Sequence, residues 1–293
     1  MSNPLIQLIA GPTASGKSRL ALEMAEKTGA VVVNADSQQL YADLRVLSAR
    51  PSEADEAAAE HRLYGVADAA DPWSVGRWGR AVGPLLAELA AQGRTAVIVG
   101  GTGLYFTSLT KGLADIPEVP HPVRDAAATA FGMLGEPEFR RRLAEIDADA
   151  AARIEAGDRQ RLTRAWAVAQ HTGRALSDWA ADTRPMLAEG SWTGLVVEPA
   201  REVLYARCDA RVGRMVDQGA LDEVKALVAR RLDPALPAMK AVGVREFADA
   251  LSSEISLEIA IERTRQATRN YAKRQLTWFR NQTPDWPRHP GFA

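Results

Sequence analysis

The stretch "IAGPTASGKS", Ile9–Ser18, decides the fold. Gly11 to Ser18 matches G-x-x-x-x-G-K-[ST] at every defined position. Its context agrees: the apolar run "LIQLIA" (Leu5–Ala10) reads as a buried strand, and "SRLALEMAEKTG" follows with helical spacing and a C-cap candidate at Gly29. In such a loop Gly11, Pro12, Thr13, Ala14, Ser15 and Gly16 turn backbone N–H groups onto an anion. The helix starting at Lys17 adds the positive end of its dipole. Lys17 supplies a full charge, and the Ser18 hydroxyl is a ligand for Mg²⁺. The motif calls for a diphosphate or polyphosphate without saying whose.

Outward from the loop, "AVVVNADS" (30–37) and "TAVIVGGTG" (95–103) are further buried strands, with a helix between them at least from Val82 onward. This alternation predicts an α/β fold: a parallel sheet of the P-loop NTPase-like kind, flanked by helices. The three prolines of "LADIPEVPHPVR" (113–124) break the alternation. Only helical pattern follows to about Thr183, until "TGLVVEPA" (193–200) is strand-like again. The expected organisation is a core of residues 1–114 and 195–293 with an inserted small all-helical domain at 115–194. The chain closes on a long helix from about Ser256 to Arg280.

Bulk properties restrict the class. The 293 residues are 46% hydrophobic and 25% charged, the balance of a soluble globular protein. No apolar run approaches the roughly 18 residues of a membrane span. The N-terminal stretch lacks the features of a secretory signal, so no membrane and a cytoplasmic location are expected. Cys208 has no second cysteine to pair with, and no Cys/His cluster has zinc spacing. Net charge is −1, which does not indicate a globally basic nucleic-acid binder. The distribution differs: of 36 basic residues thirty are arginine, and residues 255–293 carry seven Lys/Arg against three acids.

Four further motifs bear on function. Asp36 in "NADSQQLY" follows the second strand, on the sheet edge where ligands of open parallel sheets bind. A carboxylate there can act as general base or ligate Mg²⁺ through water; it can equally cap the next helix. Gly100, Gly101 and Gly103 around Thr102 follow the third strand and allow close backbone approach. In "TRQATRNYAKRQLTWFR" (264–280), Arg265, Arg269 and Lys273 form one helical stripe with aromatics interleaved, which suits a nucleic-acid backbone or a plain solvated face. "DRQRLTR" (158–164) is a second basic cluster, with Arg161 and Arg164 on one face. No apolar run ends in the acidic pair of a motor ATPase, so small-molecule phosphate chemistry is favoured.

"GPTASGKS", "NADSQQLY", "VGGTGLYFTSLTKGL", "DRQRLTRA" and "TRNYAKRQLTWFR" resemble, in order and spacing, the tRNA dimethylallyltransferases, also called tRNA isopentenyltransferases. The resemblance runs from Leu5 to about Arg280. It implies transfer of a dimethylallyl group from dimethylallyl diphosphate to the exocyclic N6 amine of the adenosine 3′ of the anticodon, in tRNAs reading U-initial codons. The loop would then hold a diphosphate leaving group, with Mg²⁺ at Ser18. By the same resemblance Asp36 is the general base, and Thr102 lies between the target nucleotide and the diphosphate. Arg207 and Arg211 ("YARCDAR", 205–211) add diphosphate contacts. The tRNA anticodon stem-loop contacts would be Asp36, Ser37, Gln38, Gln39, Thr102, Arg124, Gln160, Arg161, Leu162, Thr163, Arg164, Arg269, Lys273 and Arg274. A monomer is expected. The chain departs from the family pattern at "LSARP" (47–51, usually G-T-A-K-P), "EHRL" (60–63, one histidine of a pair), "GVRE" (243–246, usually GYKE) and "RAWA" (164–167, usually RALE). Two other readings stay open: a small-molecule or nucleoside kinase on the same sheet, and an RNA-binding regulator without catalysis.

Overall fold

A computed structural model describes residues 6–292. Its sheet has six strands, β1 (Ile6–Ala10), β2 (Val31–Asn34), β3 (His61–Arg62), β4 (Ala96–Gly100), β5 (Trp192–Val197) and β6 (Arg288–His289), all parallel in the order β3-β2-β4-β1-β5-β6. β1, β2, β4 and β5 were legible as apolar runs, with Leu5 outside the described residues. β3 and β6 are two residues long, half-exposed or exposed, and too short to leave a pattern.

Period-two alternation gives each central strand two apolar faces. Leu8, Ala10, Val31, Val33, Ile98 and Val196 face one way, while Ile9, Val32, Val97, Val99 and Val197 face the other. Helices cover both. Among the described residues the α-helices of the whole chain are, in order, α1 (Lys17–Thr28), α2 (Glu53–Ala58), α3 (Val75–Ala91), α4 (Gly103–Thr110), α5 (His121–Ala144), α6 (Ala148–Arg153), α7 (Arg159–Thr172), α8 (Leu176–Ala181), α9 (Arg201–Asp217), α10 (Ala220–Ala229), α11 (Val244–Leu251) and α12 (Leu257–Gln282). α1 lays Ala21 and Ala25 on the second face. α3 and α4 lay Trp78, Val82, Leu89, Phe106 and Leu109 on the first. Among the described residues no helix is long and apolar enough to cross a membrane.

The chain forms two compact units: residues up to Thr110 together with those from Leu187 on, and Lys111–Met186. The second unit is helical, α5 to α8, around Phe139, Leu143, Leu162 and Ala165 and around Val119, Ala127 and Val168. The helical pattern of residues 137–154 is interrupted where the periodicity gave no warning. Asp147 caps α6 by accepting from Ala150 N (2.9 Å) and also accepts from Ser177 N (3.0 Å), which separates α6 from α5. A carboxylate that satisfies orphan amides of one helix and reaches another fixes a corner.

Register sets up the site. Ala10 lies beside Gly100, and Asn34 beside Val99, so β1, β2 and β4 end level on one sheet edge. The connection leaving β1 runs toward β2 and that leaving β4 toward β5, so the β1/β4 boundary is a topological switch point, where open sheets bind ligands. Close approach there is obligatory: a Cβ on Gly100 would lie 2.0 Å from the Ala35 carbonyl oxygen, with only backbone in the way. Gly100→Ala should lower unfolding free energy by about 1–3 kcal/mol, read from a urea midpoint. Gly132→Ala, in α5 with open space around it, should be neutral or stabilising by up to about 1 kcal/mol.

Candidate active site

The phosphate loop is shaped by backbone conformation. Gly16 has φ 93° and ends the loop as the N-cap of α1, and Ala14 carries a non-glycine positive φ of 63°. Alternation into the left-handed region turns successive N–H groups to one side and makes an anion nest. Gly11 is required by proximity, since a Cβ there would meet Val197 O at 2.7 Å and Ser15 Oγ at 3.0 Å. The Ser15 hydroxyl is fully buried and has no hydrogen-bond partner. An unsatisfied buried hydroxyl costs about 1–3 kcal/mol, and a bound anion would relieve it.

Two cations serve the loop, Lys17 buried and Arg211 half-buried. Lys17 Nζ donates to Pro12 O at 3.2 Å. Burial pulls its amine down to about 8, opposed by the nearby Asp36 charge and assisted by Arg211. The Arg211 guanidinium donates to Thr13 Oγ1 at 2.8 Å and is likewise lowered by burial. Two cations desolvated together, facing one carboxylate, form a site for an anionic ligand. Ser18, the second residue of α1, is exposed, so its hydroxyl is open to a metal-bound phosphate.

The β2 and β4 loops meet this cradle. Asn34 organises the first: its amide donates to Asp36 O and Leu63 O (both 3.0 Å) and its Oδ1 accepts from Asp36 N (2.8 Å). Trp78 Nε1 donates to Asn34 O at 2.9 Å. The Asp36 side chain, 7% exposed, accepts from Gln38 N at 3.0 Å. Thr102 Oγ1 accepts from Ser37 N (2.9 Å) and donates to Ser37 Oγ (3.2 Å), locking the two loops together. The phenols of Tyr64, Tyr105 and Tyr271 are pushed upward, first by burial and then by the Asp36 charge, so Asp36 sits among neutral hydroxyls. Thr13, Asp36, Arg211, Met215 and Tyr271 line one cavity of about 30 Å³.

Other predicted residues fall elsewhere. Arg207, one turn before Arg211 on α9, donates to the Phe292 carbonyl. The Phe292 ring packs beside Gly16 with the Arg19 guanidinium 4.1 Å over it, so the segment after β6 covers the outside of the loop. Gln39 is buried, and its amide donates to Ser48 O (3.0 Å) and Ala49 O (2.8 Å); it shapes the divergent "LSARP" turn from within. Arg269 is committed to Asp209 (2.6 Å) and Glu262 (3.1 Å), and Arg265 lies 3.6 Å from Glu262. The predicted stripe is therefore largely neutralised by the chain's own acids. Lys273 and Arg274 are exposed; Arg274 lies over the Tyr271 ring and lines a cavity of about 740 Å³ with Lys240 and Arg245.

In the helical unit Arg124, Gln160, Arg161 and Arg164 are exposed, with Arg161 paired to Asp158 at 2.8 Å. Thr163 Oγ1 bonds back to Arg159 O at 2.9 Å. Leu162 differs from the polar residues around it: its side chain is wholly buried in the core of that unit with Phe139 and Leu143.

One residue escaped the sequence reading. Gln275 bonds both Thr13 of the phosphate loop and Gly101 of the β4 loop. Its signal was a polar side chain in the same α12 stripe as Ala260, Ala272, Leu276 and Phe279. Cys208 packs with Ala14 behind the loop, and burial pushes its thiol up to about 11.

Fold and site together define a P-loop protein that joins a phosphate cradle to a buried carboxylate on one sheet edge. Comparison with known proteins narrows this. Residues 39–282 match the family model described as IPP transferase, and residues 4–68 match that of isopentenyl transferase. A tRNA dimethylallyltransferase of Caulobacter sp. (strain K31) is 59% identical over 288 residues, 98% of this chain and 93% of the relative. Of solved structures, the tRNA isopentenylpyrophosphate transferase of Bacillus halodurans is 30% identical with TM-score 0.68, covering 97% of this chain and 89% of that one. A eukaryotic dimethylallyltransferase studied acting on tRNA is 25% identical with TM-score 0.81, covering 94% and 70%. The chain belongs to the IPP transferase family. Membership sets aside the kinase reading.

The Lys17 amine gives a signed prediction. Its folded value is depressed, so the unfolded chain holds the extra proton between about pH 8 and the ordinary lysine range near 10.5. The desolvation penalty is complete below about pH 8 and fades as pH rises through that window. Ligand-free Lys17→Met should therefore be more stable than the parent at pH 7, by about 3 kcal/mol at most, and unfold at a higher temperature, with the gap closing toward pH 10. A calorimetric pH series checks it.

Proposed function

We propose that this protein is a tRNA dimethylallyltransferase. It transfers the dimethylallyl group of dimethylallyl diphosphate to the exocyclic N6 amine of the adenosine 3′ of the anticodon, in tRNAs reading U-initial codons, and releases diphosphate. The observation carrying this reading is the convergence of Thr13 and Arg211 of the cradle with Asp36 on one small cavity. Prenyl transfer needs a leaving-group site and a proton acceptor within one substrate's reach.

The adenine leaves its stack to enter this site, and the N6 lone pair attacks C1 of the prenyl group. The N–C bond forms as the C1–O bond breaks, and the bonding electrons depart with the diphosphate. Loop N–H groups, Lys17 and Arg211 are fixed donors where that charge grows, and preorganised donors of this kind lower barriers. The N6 proton passes to the Asp36 carboxylate. Thr102, tied to Ser37, holds the carboxylate loop against the β4 loop. Mg²⁺ suits a donor set of one exposed protein hydroxyl, Ser18, because it keeps most of its shell as water and phosphate oxygens. When bound it would neutralise charge on the diphosphate.

The anticodon stem-loop is the part of the tRNA expected at the site. Arg124, Gln160, Arg161 and Arg164 offer exposed contacts for it on the helical unit, and Lys273 and Arg274 on α12. The cradle and the carboxylate come from a single chain, which supports action as a monomer. A tRNA substrate supports a cytoplasmic location.

The decisive assay incubates the protein with Mg²⁺, labelled dimethylallyl diphosphate and unmodified tRNA, with RNA-free and ATP-only controls. Label should enter the tRNA; its absence would remove the proposal. Asp36→Ala should abolish transfer and keep tRNA affinity within a few fold, and surviving transfer would show that another group takes the proton. Salt titrations of tRNA binding separate the α12 cations. Lys273→Ala should flatten the log–log slope by about one counterion, whereas Arg269→Ala should leave it nearly unchanged, because Arg269 is already paired with Asp209 and Glu262.

A further inference from the structure

Parallel pairing holds β1 and β4 together only as far as Ala10 and Gly100. Beyond them the chain divides into the phosphate loop and the loop leading to Thr102. One side chain spans the gap. Gln275 of α12 is 6% exposed, and its amide is bonded on both sides. Oε1 accepts from Thr13 N at 2.8 Å, and Nε2 donates to Gly101 O at 2.9 Å. Both lengths are those of good N–H···O bonds. The network also fixes which end of the amide is which, because a flip would oppose N–H to N–H and oxygen to oxygen.

The two loops carry different chemistry. Thr13 belongs to the cradle, and its hydroxyl receives Arg211. Gly101 precedes Thr102, whose hydroxyl receives the Ser37 amide next to Asp36. A Cβ on Gly101 would lie 2.2 Å from Gln275 Nε2 and 3.1 Å from Asp36 Oδ2, so the amide and the carboxylate border the same small space.

We infer that Gln275 is a positioning residue that sets the spacing between the leaving-group cradle and the carboxylate loop. The inference rests on the diphosphate reading of the loop. In-line displacement needs attacking nitrogen, carbon and leaving oxygen aligned, and a misplacement near 1 Å costs on the order of 100-fold in rate. A tie between the two loops therefore acts on turnover more than on either binding step.

Gln275→Met keeps the length and removes both hydrogen bonds. Its kcat for prenyl transfer should fall roughly 30- to 100-fold, while KM for dimethylallyl diphosphate and tRNA affinity stay within about threefold. Gly101→Ala displaces the amide without altering α12 and should give the same split with the parent's pH–rate profile, which an effect of its Cβ on Asp36 Oδ2, 3.1 Å away, would shift; it covers the case in which the α12 variant folds poorly. Gln275→Glu keeps the acceptor for Thr13 N but can donate to Gly101 O only as the neutral acid. Its kcat relative to the parent should rise as pH is lowered from 8 to 6, a trend that loss of packing would not produce.

Amide NMR reads the tie without turnover. Inorganic diphosphate added to the parent should shift the Gly11–Lys17 resonances together with those of Ser37 and Thr102. In Gln275→Met it should shift only the loop. A parent protein indifferent to diphosphate overturns the loop reading and this inference with it. Ser37 and Thr102 shifts that persist in Gln275→Met, or unchanged kcat in both Gln275→Met and Gly101→Ala, overturn the positioning role alone.

Discussion

Everything in the core unit depends on three parallel strands ending level. Ala10, Asn34 and Gly100 leave the sheet along one edge, and the hydrophobic faces beneath them make a one-residue slip prohibitive, since it would turn every valine of a strand to the wrong side. Once register is fixed, the phosphate loop, the Asp36 loop and the Thr102 loop must share a small volume. The close pass of Gly100 over the Ala35 carbonyl is the tightest point of that convergence. A phosphate loop alone is a general anion site. Specific chemistry arises because the neighbouring strand ends bring a carboxylate and a hydroxyl to it.

The electrostatics follow from the same packing. Loops that meet over a sheet exclude water, so Lys17 and Arg211 are desolvated while still facing only one counter-charge. Their unmet attraction is directed outward at a ligand. Ser15, buried without a partner, adds a polar group in the same condition. The ligand-free site thus carries a local cost in stability, which an anionic ligand with several acceptors would offset. Such tension is common where binding must be strong and specific.

Much of this was legible in the residues. The G-x-x-x-x-G-K-[ST] spacing, the apolar runs of β1, β2, β4 and β5 and the three prolines after α4 left patterns that sequence alone can carry. Asp36 and Thr102 were found because each immediately follows a strand. What could not be read was pairing between distant positions. Nothing near Arg269 reveals that Asp209, 60 residues away, will neutralise it. Gln39 and Leu162 lie inside motifs that looked surface-bound, yet both point inward. Gln275 resembled one more polar residue on an exposed helix, and its worth lies in two backbone atoms 262 and 174 positions away. Patterns report local geometry, whereas these roles are created by closure of the fold.

The burial of Cys208 has a practical side. It is the chain's one thiol, and it lies directly behind Ala14 with Leu204, Ala272 and Leu276 around it. A reagent can reach it only when the phosphate loop or α12 lifts away. The rate at which the untouched protein reacts with a thiol probe therefore counts openings of this packing, at the loop or at α12, with no label to engineer and no second cysteine to confuse the signal. Slowing of that rate by a ligand would measure how firmly the ligand closes it.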